Sequence, residues 1–146
     1  MSLVPSYAAR RYDIVRDSLR LIEPKADGIG AVFYELLLAK HPSLSPLFAR
    51  TDLHQQGRQL MQTIGWTVAH LQEPGELRAR LAELGDRHRA YGVKPEHYDL
   101  VGECLLGALE RELGSAFDDR LRQAWAEVYL IVAEAMQETI SIPPSV

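Results

Sequence analysis

The placement of proline constrains the fold of this chain more than any other feature. The eight prolines stand at positions 5, 24, 42, 46, 74, 95, 143 and 144, and each falls at the edge of a segment in which apolar residues recur three and four positions apart. Because proline lacks a backbone N–H and clashes with the preceding turn of a helix, it is tolerated at helix ends and not in helix interiors. The chain is therefore predicted to be all-α, and its sequence contains no alternating strand pattern.

Six long helices and one short helix are predicted from the apolar spacing. The positions that define the long helices are Val15, Leu19 and Ile22; Ile29, Phe33 and Leu37; Leu60, Ile64 and Val68; Leu77, Leu81 and Leu84; Val101, Leu105 and Leu109; and Leu121, Trp125 and Val128. The short helix is expected between Ser43 and Phe48, and Gly114 is expected to end the fifth long helix. At 146 residues the chain makes one domain with a sizeable core, with tails expected at about 1–10 and 141–146.

Charge and cysteine content exclude several classes of partner. The net charge is −4, whereas binding to a nucleic-acid backbone or an anionic membrane needs a concentrated positive face. Cys104 is the only cysteine, so no intrachain disulfide can form, which fits a reducing compartment. No charged and then apolar leader opens the sequence, and no apolar run is long enough to span a bilayer. A cytoplasmic protein without nucleic-acid or membrane partners is expected.

A histidine stands at the end of one apolar stripe. Leu77, Leu81, Leu84 and His88 are spaced four, three and four apart, so they share one face of a helix. After His88 that helix is predicted to end, and the next one to open with Pro95 in its first turn. Two interpretations stay open on the residues alone. One is a core histidine whose ring nitrogens bond to a carbonyl or water, which is the commoner case, and the other is a metal ligand.

Several groups of residues at consistent separations closely resemble the globin domain of bacterial single-domain haemoglobins and flavohaemoglobins. These are Phe33-Tyr34, Leu47-Phe48, Gln56 with Leu60, His88, and Lys94-Pro95-Glu96 followed by Tyr98. The resemblance covers the chain from about Val15 to Met136 and implies a globin fold that encloses one haem b. Gly30 and Gly57 agree with it, because in globins small residues at these two places let the second helix and the distal helix cross closely.

The resemblance also implies roles for individual residues around the haem. His88 would be the proximal ligand through a neutral imidazole nitrogen, which leaves the opposite axial position open for a diatomic gas. Phe48 would pack against the porphyrin. The other residues that would contact the haem are Leu60 and Ile64 on the distal helix, and Tyr98 and Val101 beyond the proximal histidine.

Tyr34 and Gln56 are the two donors that the resemblance places on the gas-binding side. A phenol hydroxyl and an amide N–H directed at dioxygen would hold it more tightly than neutral carbon monoxide. At about 1.5 kcal/mol for each hydrogen bond, the pair would slow oxygen release roughly a hundredfold. Without the resemblance, the residues alone favour a solvated glutamine in the first turn of a helix and a core tyrosine.

The proximal side departs from the pattern of flavohaemoglobins. In those proteins a tyrosine and a glutamate surround the proximal histidine, and a carboxylate bonded to its free N–H makes it more electron-donating. Tyr98 matches the tyrosine, but counting from Trp125 places Ile142 at the position of the glutamate. Glu138, one helical turn earlier, is the candidate substitute, and a solvated glutamate at a helix end is the alternative. The departure favours oxygen binding over turnover.

The remaining histidines are expected to be structural. His54 would project from a different face of its helix than Gln56, and His41, His70 and His97 show no spacing typical of a metal site. No CxxC motif or glycine-rich phosphate loop is found. The sequence ends shortly after its last two prolines, where a flavohaemoglobin would continue into its flavin domain, so an external flavin reductase is expected to supply electrons for any redox cycle.

Three functions remain open from the sequence. The first is a haem globin that binds dioxygen, and other diatomic gases, reversibly and with high affinity. The second is a nitric oxide dioxygenase of the same fold that depends on an external reductase and acts in nitric oxide detoxification. Its chemistry would involve Tyr34, Gln56, Tyr98 and Glu138. The third is a gas sensor or a haem-free helical interaction domain. A monomer or a weak homodimer is expected in each case.

Overall fold

The computed structural model describes the backbone of residues 7–138 and the side chains of residues 10–137. Its six α-helices are α1 (Tyr7–Ile22), α2 (Ala26–Lys40), α3 (Leu53–Ala69), α4 (Pro74–Ala90), α5 (His97–Leu113) and α6 (Asp119–Glu138). Short 3-10 segments span Glu23–Lys25, Pro42–Phe48 and Gly114–Ala116, and the described residues contain no strand. The predicted all-α chain is confirmed, with six long helices and a short helix at Pro42–Phe48.

Proline, aspartate and glycine set the helix ends. The first helix ends two residues before Pro24, as predicted. The carboxylate of Asp52 accepts hydrogen bonds from the backbone N–H groups of His54 and Gln55, at 3.0 and 3.3 Å, and so caps the start of α3. Gly114, with φ of 57°, lies at the end of α5. The left-handed backbone there favours glycine, and the predicted helix end is confirmed.

Helix α5 begins two residues later than predicted. Pro95 lies in a turn, and the helix starts at His97. The backbone N–H of Lys94 donates to Nδ1 of His97 at 3.0 Å, and the backbone N–H of His97 donates to the carbonyl of Lys94 at 2.9 Å. This reciprocal pair closes a turn ahead of the helix, which agrees with a structural role for His97.

Helix α2 lies at the centre of the packing. It packs against both α3 and α5, whereas α6 packs against α1 and α4. At the crossing of α2 and α3, a Cβ added to Gly30 would lie 2.9 Å from the backbone carbonyl oxygen of Gly57, which is closer than real Cβ atoms come. The crossing therefore requires glycine, and the predicted close approach of these two residues is confirmed.

Helix α6 is held near both of its ends. Nε1 of Trp125 donates to Oγ of Ser18 on α1 at 3.0 Å, and this hydroxyl donates to the carbonyl of Val15 at 2.5 Å. Towards its other end, α6 passes so close to α4 that a Cβ on Gly85 would overlap the carbonyl oxygen of Met136. Within the described part of the chain, α4 makes its extensive contacts with α6 alone. The position of α4 is therefore set mainly by α6.

The two predicted tails differ in what the structure describes of them. Helix α1 begins at Tyr7, inside the stretch 1–10 that was expected to be a tail. The other expected tail, 141–146, lies outside the described residues. Between residues 7 and 138, no helix is both long enough and apolar enough to cross a membrane.

Candidate haem site

The imidazole of His88 is held in one tautomer by the helix that carries it. Its Nδ1 lies 2.8 Å from the carbonyl oxygen of Leu84, one turn earlier on α4. Because a carbonyl only accepts hydrogen bonds, Nδ1 carries the proton and donates it, and Nε2 keeps its lone pair. Burial lowers the pKa of His88, against the effect of the hydrogen bond to Leu84, which raises it. The ring is therefore neutral and offers one free nitrogen, the form that binds a metal.

The packing of α4 fixes the position of His88. Leu77 and Leu81 are buried and Leu84 is partly buried, so the apolar stripe faces the core up to the turn before the histidine. The residue after Leu84 is Gly85, whose missing side chain lets α4 approach the backbone of α6. This glycine was not predicted to matter, although a glycine inside a helix is a signal that another part of the backbone comes close.

Tyr34 lies on α2 in a cluster of aromatic rings. It is 7% exposed, and its ring centroid lies 4.8 Å from that of Phe33 and 5.5 Å from that of Phe48, both edge-on. Burial raises the pKa of Tyr34 to about 12, even though a hydrogen bond with Gln56 lowers it. The hydroxyl of Tyr34 therefore keeps its proton at neutral pH.

The crossing of α2 and α3 brings Tyr34 and Gln56 together. Tyr34 follows the α2 glycine of the crossing by one turn, and Gln56 directly precedes the α3 glycine. Leu60 and Ile64 follow Gln56 at four-residue intervals on one face of α3, and both are partly buried. The structure therefore places Tyr34, Phe48 and Gln56 in one cluster, next to the face of α3 that carries Leu60 and Ile64.

Tyr98 and Val101 lie in the first turns of α5. Tyr98 is buried, and its hydroxyl has no hydrogen-bond partner among the described residues. Its backbone carbonyl accepts a hydrogen bond of 2.6 Å from the hydroxyl of Tyr129 on α6, whose ring packs against Gly102. Val101 is partly buried. Tyr129 was not predicted from the sequence. The available signal was Gly102, because a glycine inside a helix indicates that a neighbouring group packs closely there.

Two positions predicted to lie near the proximal histidine are not covered by the structure. Glu138 is the last residue of α6 and its side chain is not described. Ile142 lies outside the described residues. The last described side chain is that of Gln137, which donates from Nε2 to the carbonyl of Ala133 at 3.1 Å. The suggested role of Glu138 beside the proximal histidine therefore stays a prediction.

The expected structural role of the other histidines stays a prediction. His70 lies beside Glu73 and Glu76 where the chain passes from α3 to α4, and one potential ligand atom from each lies within 4.8 Å of the other two. His70 and Glu76 are six positions apart, so the group is formed by the local connection between the two helices. His54 is exposed, in line with the expectation.

The donors of this site fit a haem group. His88 presents a neutral imidazole nitrogen, Tyr34 retains a proton to donate, and Tyr98 has a buried hydroxyl that lacks a partner, although buried polar groups are normally hydrogen-bonded. Helix α4, which carries His88, does not pack extensively against α2 or α3 within the described residues. The residues of α4 and those of α2 and α3 are therefore linked through other helices and not by direct packing.

Comparison with known proteins identifies the family. The family model for globins matches residues 31–136. This chain belongs to the globin family. Haem binding follows from that membership, so the protein is a haem-binding globin.

The globin is similar to the flavohemoproteins of two Bacillus species. It is 30% identical to that of Bacillus cereus over 131 residues and 32% identical to that of Bacillus anthracis over 126 residues. These matches cover 88% and 84% of the globin but only 32% and 31% of the two relatives. The globin therefore spans about a third of the length of these relatives.

Two solved structures share its architecture. An engineered carbene transferase, derived from a putative nitric oxide dioxygenase of Rhodothermus marinus, superposes with a TM-score of 0.81 at 26% identity, over 95% of the globin and 96% of that chain. A bacterial globin from Campylobacter jejuni gives a TM-score of 0.79 at 22% identity, over 90% of the globin and 94% of that chain. Both likenesses confirm the predicted globin fold.

Proposed function

We propose that this globin binds dioxygen reversibly at a haem b held by His88. Haem, when bound, supplies an iron atom that accepts one nitrogen from the protein and one diatomic gas. The observation that carries the proposal is the hydrogen bond from Nδ1 of His88 to Leu84, because in the neutral ring it leaves the lone pair on Nε2. The side chains that would surround the group are Phe48, Leu60, Ile64, Tyr98 and Val101.

On the gas-binding side, Tyr34 and Gln56 would be the donors to the bound gas, through a phenol hydroxyl and an amide N–H. A hydrogen bond between the two side chains holds them next to each other. The raised pKa keeps this hydroxyl protonated throughout the neutral range. Leu60 and Ile64 would exclude water, and in such surroundings a hydrogen bond is electrostatically stronger than in solvent. High oxygen affinity with slow release is the consequence.

On the proximal side, the partner of His88 favours reversible binding over turnover. Its Nδ1–H donates to a backbone carbonyl, which is a neutral acceptor. A carboxylate in that place would make the imidazole more electron-donating. A less electron-donating imidazole supports an oxygen carrier, scavenger or store.

The absorption spectrum of the purified, haem-loaded protein tests the proposal. We expect a Soret band that shifts on reduction and a stable oxygenated spectrum after air is admitted. The variant His88→Ala should lose haem or change its spectrum, whereas His54→Ala, a substitution of an exposed histidine, should behave as the parent. An unchanged spectrum in His88→Ala, or no Soret band after haemin is added to the parent, would contradict the proposal.

A second candidate function is nitric oxide dioxygenation with electrons from an external flavin reductase. It is favoured by the structural likeness to a chain derived from a putative nitric oxide dioxygenase, and Tyr98 and Glu138 would then support the proximal histidine. The measurement is nitric oxide consumption by a catalytic amount of globin with a generic flavin reductase. Sustained consumption supports this function, and a single stoichiometric burst contradicts it.

We also propose a cellular location, competing ligands and an assembly state for this globin. The absence of a cysteine pair and the net charge of −4 fit a reducing cytoplasm without nucleic-acid or membrane partners. Other diatomic gases would compete with dioxygen for the same position. A monomer or a weak homodimer is the proposed assembly.

A further inference from the structure

We propose that His70, Glu73 and Glu76 bind a zinc ion at the connection between α3 and α4. His70 directly follows α3, Glu73 directly precedes α4, and Glu76 lies in the first turn of α4. One ligand atom from each lies within 4.8 Å of the other two. Together these three residues form the turn site. Glu76 and His88 are separated by about 18 Å along the axis of α4, at 1.5 Å per residue, so the turn site is distinct from the haem site.

The imidazole of His70 is oriented for coordination before any metal arrives. Its Nδ1 lies 2.7 Å from the carbonyl oxygen of Trp66, so Nδ1 donates to this carbonyl, and it is Nε2 that offers a lone pair to a metal. The ring is also stacked on the indole of Trp66, with centroids 4.1 Å apart and planes at 17°. Metal-binding histidines commonly donate their other ring N–H to a carbonyl or carboxylate, which fixes tautomer and orientation. His70 has this arrangement, and its Nε2 is the ring nitrogen that faces Glu73.

The two carboxylates complete the donor set. Oε2 of Glu73 lies 4.0 Å from Nε2 of His70, and tetrahedral ligands of one zinc ion lie about 3.4 Å apart, given bonds of about 2.1 Å. The side chain of Glu73 is 57% exposed and Glu76 is exposed, so rotation of these side chains is enough to close the difference. A cation between the two glutamates would also offset the repulsion between their charges.

The donor types select zinc over the common alkaline-earth ions. One imidazole nitrogen and two carboxylate oxygens suit zinc, whereas magnesium and calcium prefer oxygen ligands alone. Water would fill the fourth position, because the site is open to solvent. No other group of three such side chains is brought together within residues 10–137.

Zinc at the turn site would join the end of α3 to the start of α4. The first of these helices carries Gln56 and the second carries His88, and the two helices share no extensive contact among the described residues. A ligand that binds only the folded connection stabilises it by mass action. Zinc is therefore expected to raise the thermal unfolding midpoint of the globin.

Calorimetric titration of the haem-loaded protein with zinc chloride near neutral pH tests the proposal. We expect one site in the parent. In Glu76→Gln and in His70→Ala we expect affinity to fall roughly tenfold or more, because each change removes one ligand from the metal. The matched controls are Glu83→Gln, an exposed glutamate on α4, and His54→Ala, and both should bind zinc as the parent does.

Thermal unfolding with and without zinc provides a second measurement. The upward shift of the midpoint should be present in the parent and in both controls, and absent in Glu76→Gln. This variant decides the matter even if His70→Ala fails to fold, because Glu76 is exposed and glutamine has nearly the same shape as glutamate. Equal zinc affinity in the parent and Glu76→Gln, no binding in the parent, or equal binding of magnesium overturns the proposal.

Discussion

Tyr34 carries one hydroxyl in an otherwise apolar cluster formed with Phe33 and Phe48. The substitution Tyr34→Phe removes this hydroxyl and leaves the ring packing in place. Because a hydrogen bond of this kind contributes about 1.5 kcal/mol, we expect dioxygen to leave the haem-loaded variant roughly ten times faster. Stopped-flow displacement of dioxygen by carbon monoxide measures the rate.

The control for this substitution is Tyr91→Phe. Tyr91 is 75% exposed and lies outside the aromatic cluster, so its variant should release dioxygen at the parent rate. If Tyr34→Phe also releases dioxygen at the parent rate, then Tyr34 is not the donor and the proposed gas site is wrong in this respect.

The raised pKa of Tyr34 predicts a dependence of stability on alkaline pH. In the folded chain the phenol ionises at a pKa of about 12 instead of 10.0, so between these values the unfolded state binds fewer protons than the folded state. The free energy of unfolding therefore falls as pH rises, by about 1.4 kcal/mol per pH unit for this group. Urea unfolding of the haem-free chain should show a shallower fall for Tyr34→Phe than for the parent.

Other groups also titrate in this range. The quantity to compare is therefore the difference in the free energy of unfolding between the parent and Tyr34→Phe at each pH. Parallel curves for the parent and Tyr34→Phe would show that burial does not hold the phenol in its protonated form.

At the residue scale, the sequence predicted which side chains belong to the candidate site but did not predict how they are oriented. The stripe that ends at His88 follows from helical spacing, and Tyr34 and Gln56 were found by resemblance. The tautomer of His88 depends on a bond to the carbonyl of Leu84, and every helical residue has a carbonyl four positions earlier. Only the rotamer decides whether that carbonyl is used, and spacing contains no information about rotamers.

At the scale of helices, the crossing of α2 and α3 is the contact that positions Tyr34 and Gln56, the residues proposed to bind the gas. In Gly30→Ala the new Cβ would lie 2.9 Å from the carbonyl oxygen of Gly57, so the two backbones must separate. Overpacking of this kind costs about 1 to 3 kcal/mol, which offsets the gain in helix propensity of about 1 kcal/mol. We expect a net loss of stability in urea unfolding and faster release of dioxygen, because Tyr34 and Gln56 move apart.

Gly65→Ala is the matched control on α3. A Cβ at this position has no neighbour within 4 Å, so only helix propensity changes, and the variant should gain up to about 1 kcal/mol. A Gly30→Ala variant that gains stability to the same extent would show that the crossing accepts a side chain.

Helix ends were predictable from the sequence because their causes are local. Pro24 and Gly114 act through their own backbone, so their effect can be read without knowing the fold. The contact of Gly85 with Met136 joins residues that are far apart in sequence. It depends on where a second helix lies, which neither spacing nor composition contains.

At the scale of the whole molecule, the six helices form two sets with different roles. The proposed gas-binding residues Tyr34 and Gln56 stand on α2 and α3. These two helices pack together, and α2 also packs against α5, whereas His88 stands on α4, which packs mainly against α6. Within the described residues, protein contacts alone therefore hold α4 less firmly than α2. A haem between the two sets would supply the missing link, through its bond to His88 on one side and its packing against Phe48 and α3 on the other.

Removal of haem should consequently loosen α4 more than any helix that packs against α2. We expect the amide hydrogens of α4 in the haem-free protein to exchange faster than those of α2 and α5, because local opening is easiest where few contacts must be broken. Haem should slow exchange in α4 by roughly tenfold or more, equivalent to about 1.4 kcal/mol. In His88→Ala most of this protection should be lost, and in His54→Ala it should be retained. If haem protected all six helices equally, or if His88→Ala kept full protection of α4, the position of the proximal helix would be fixed by α6 and not by the bond from His88.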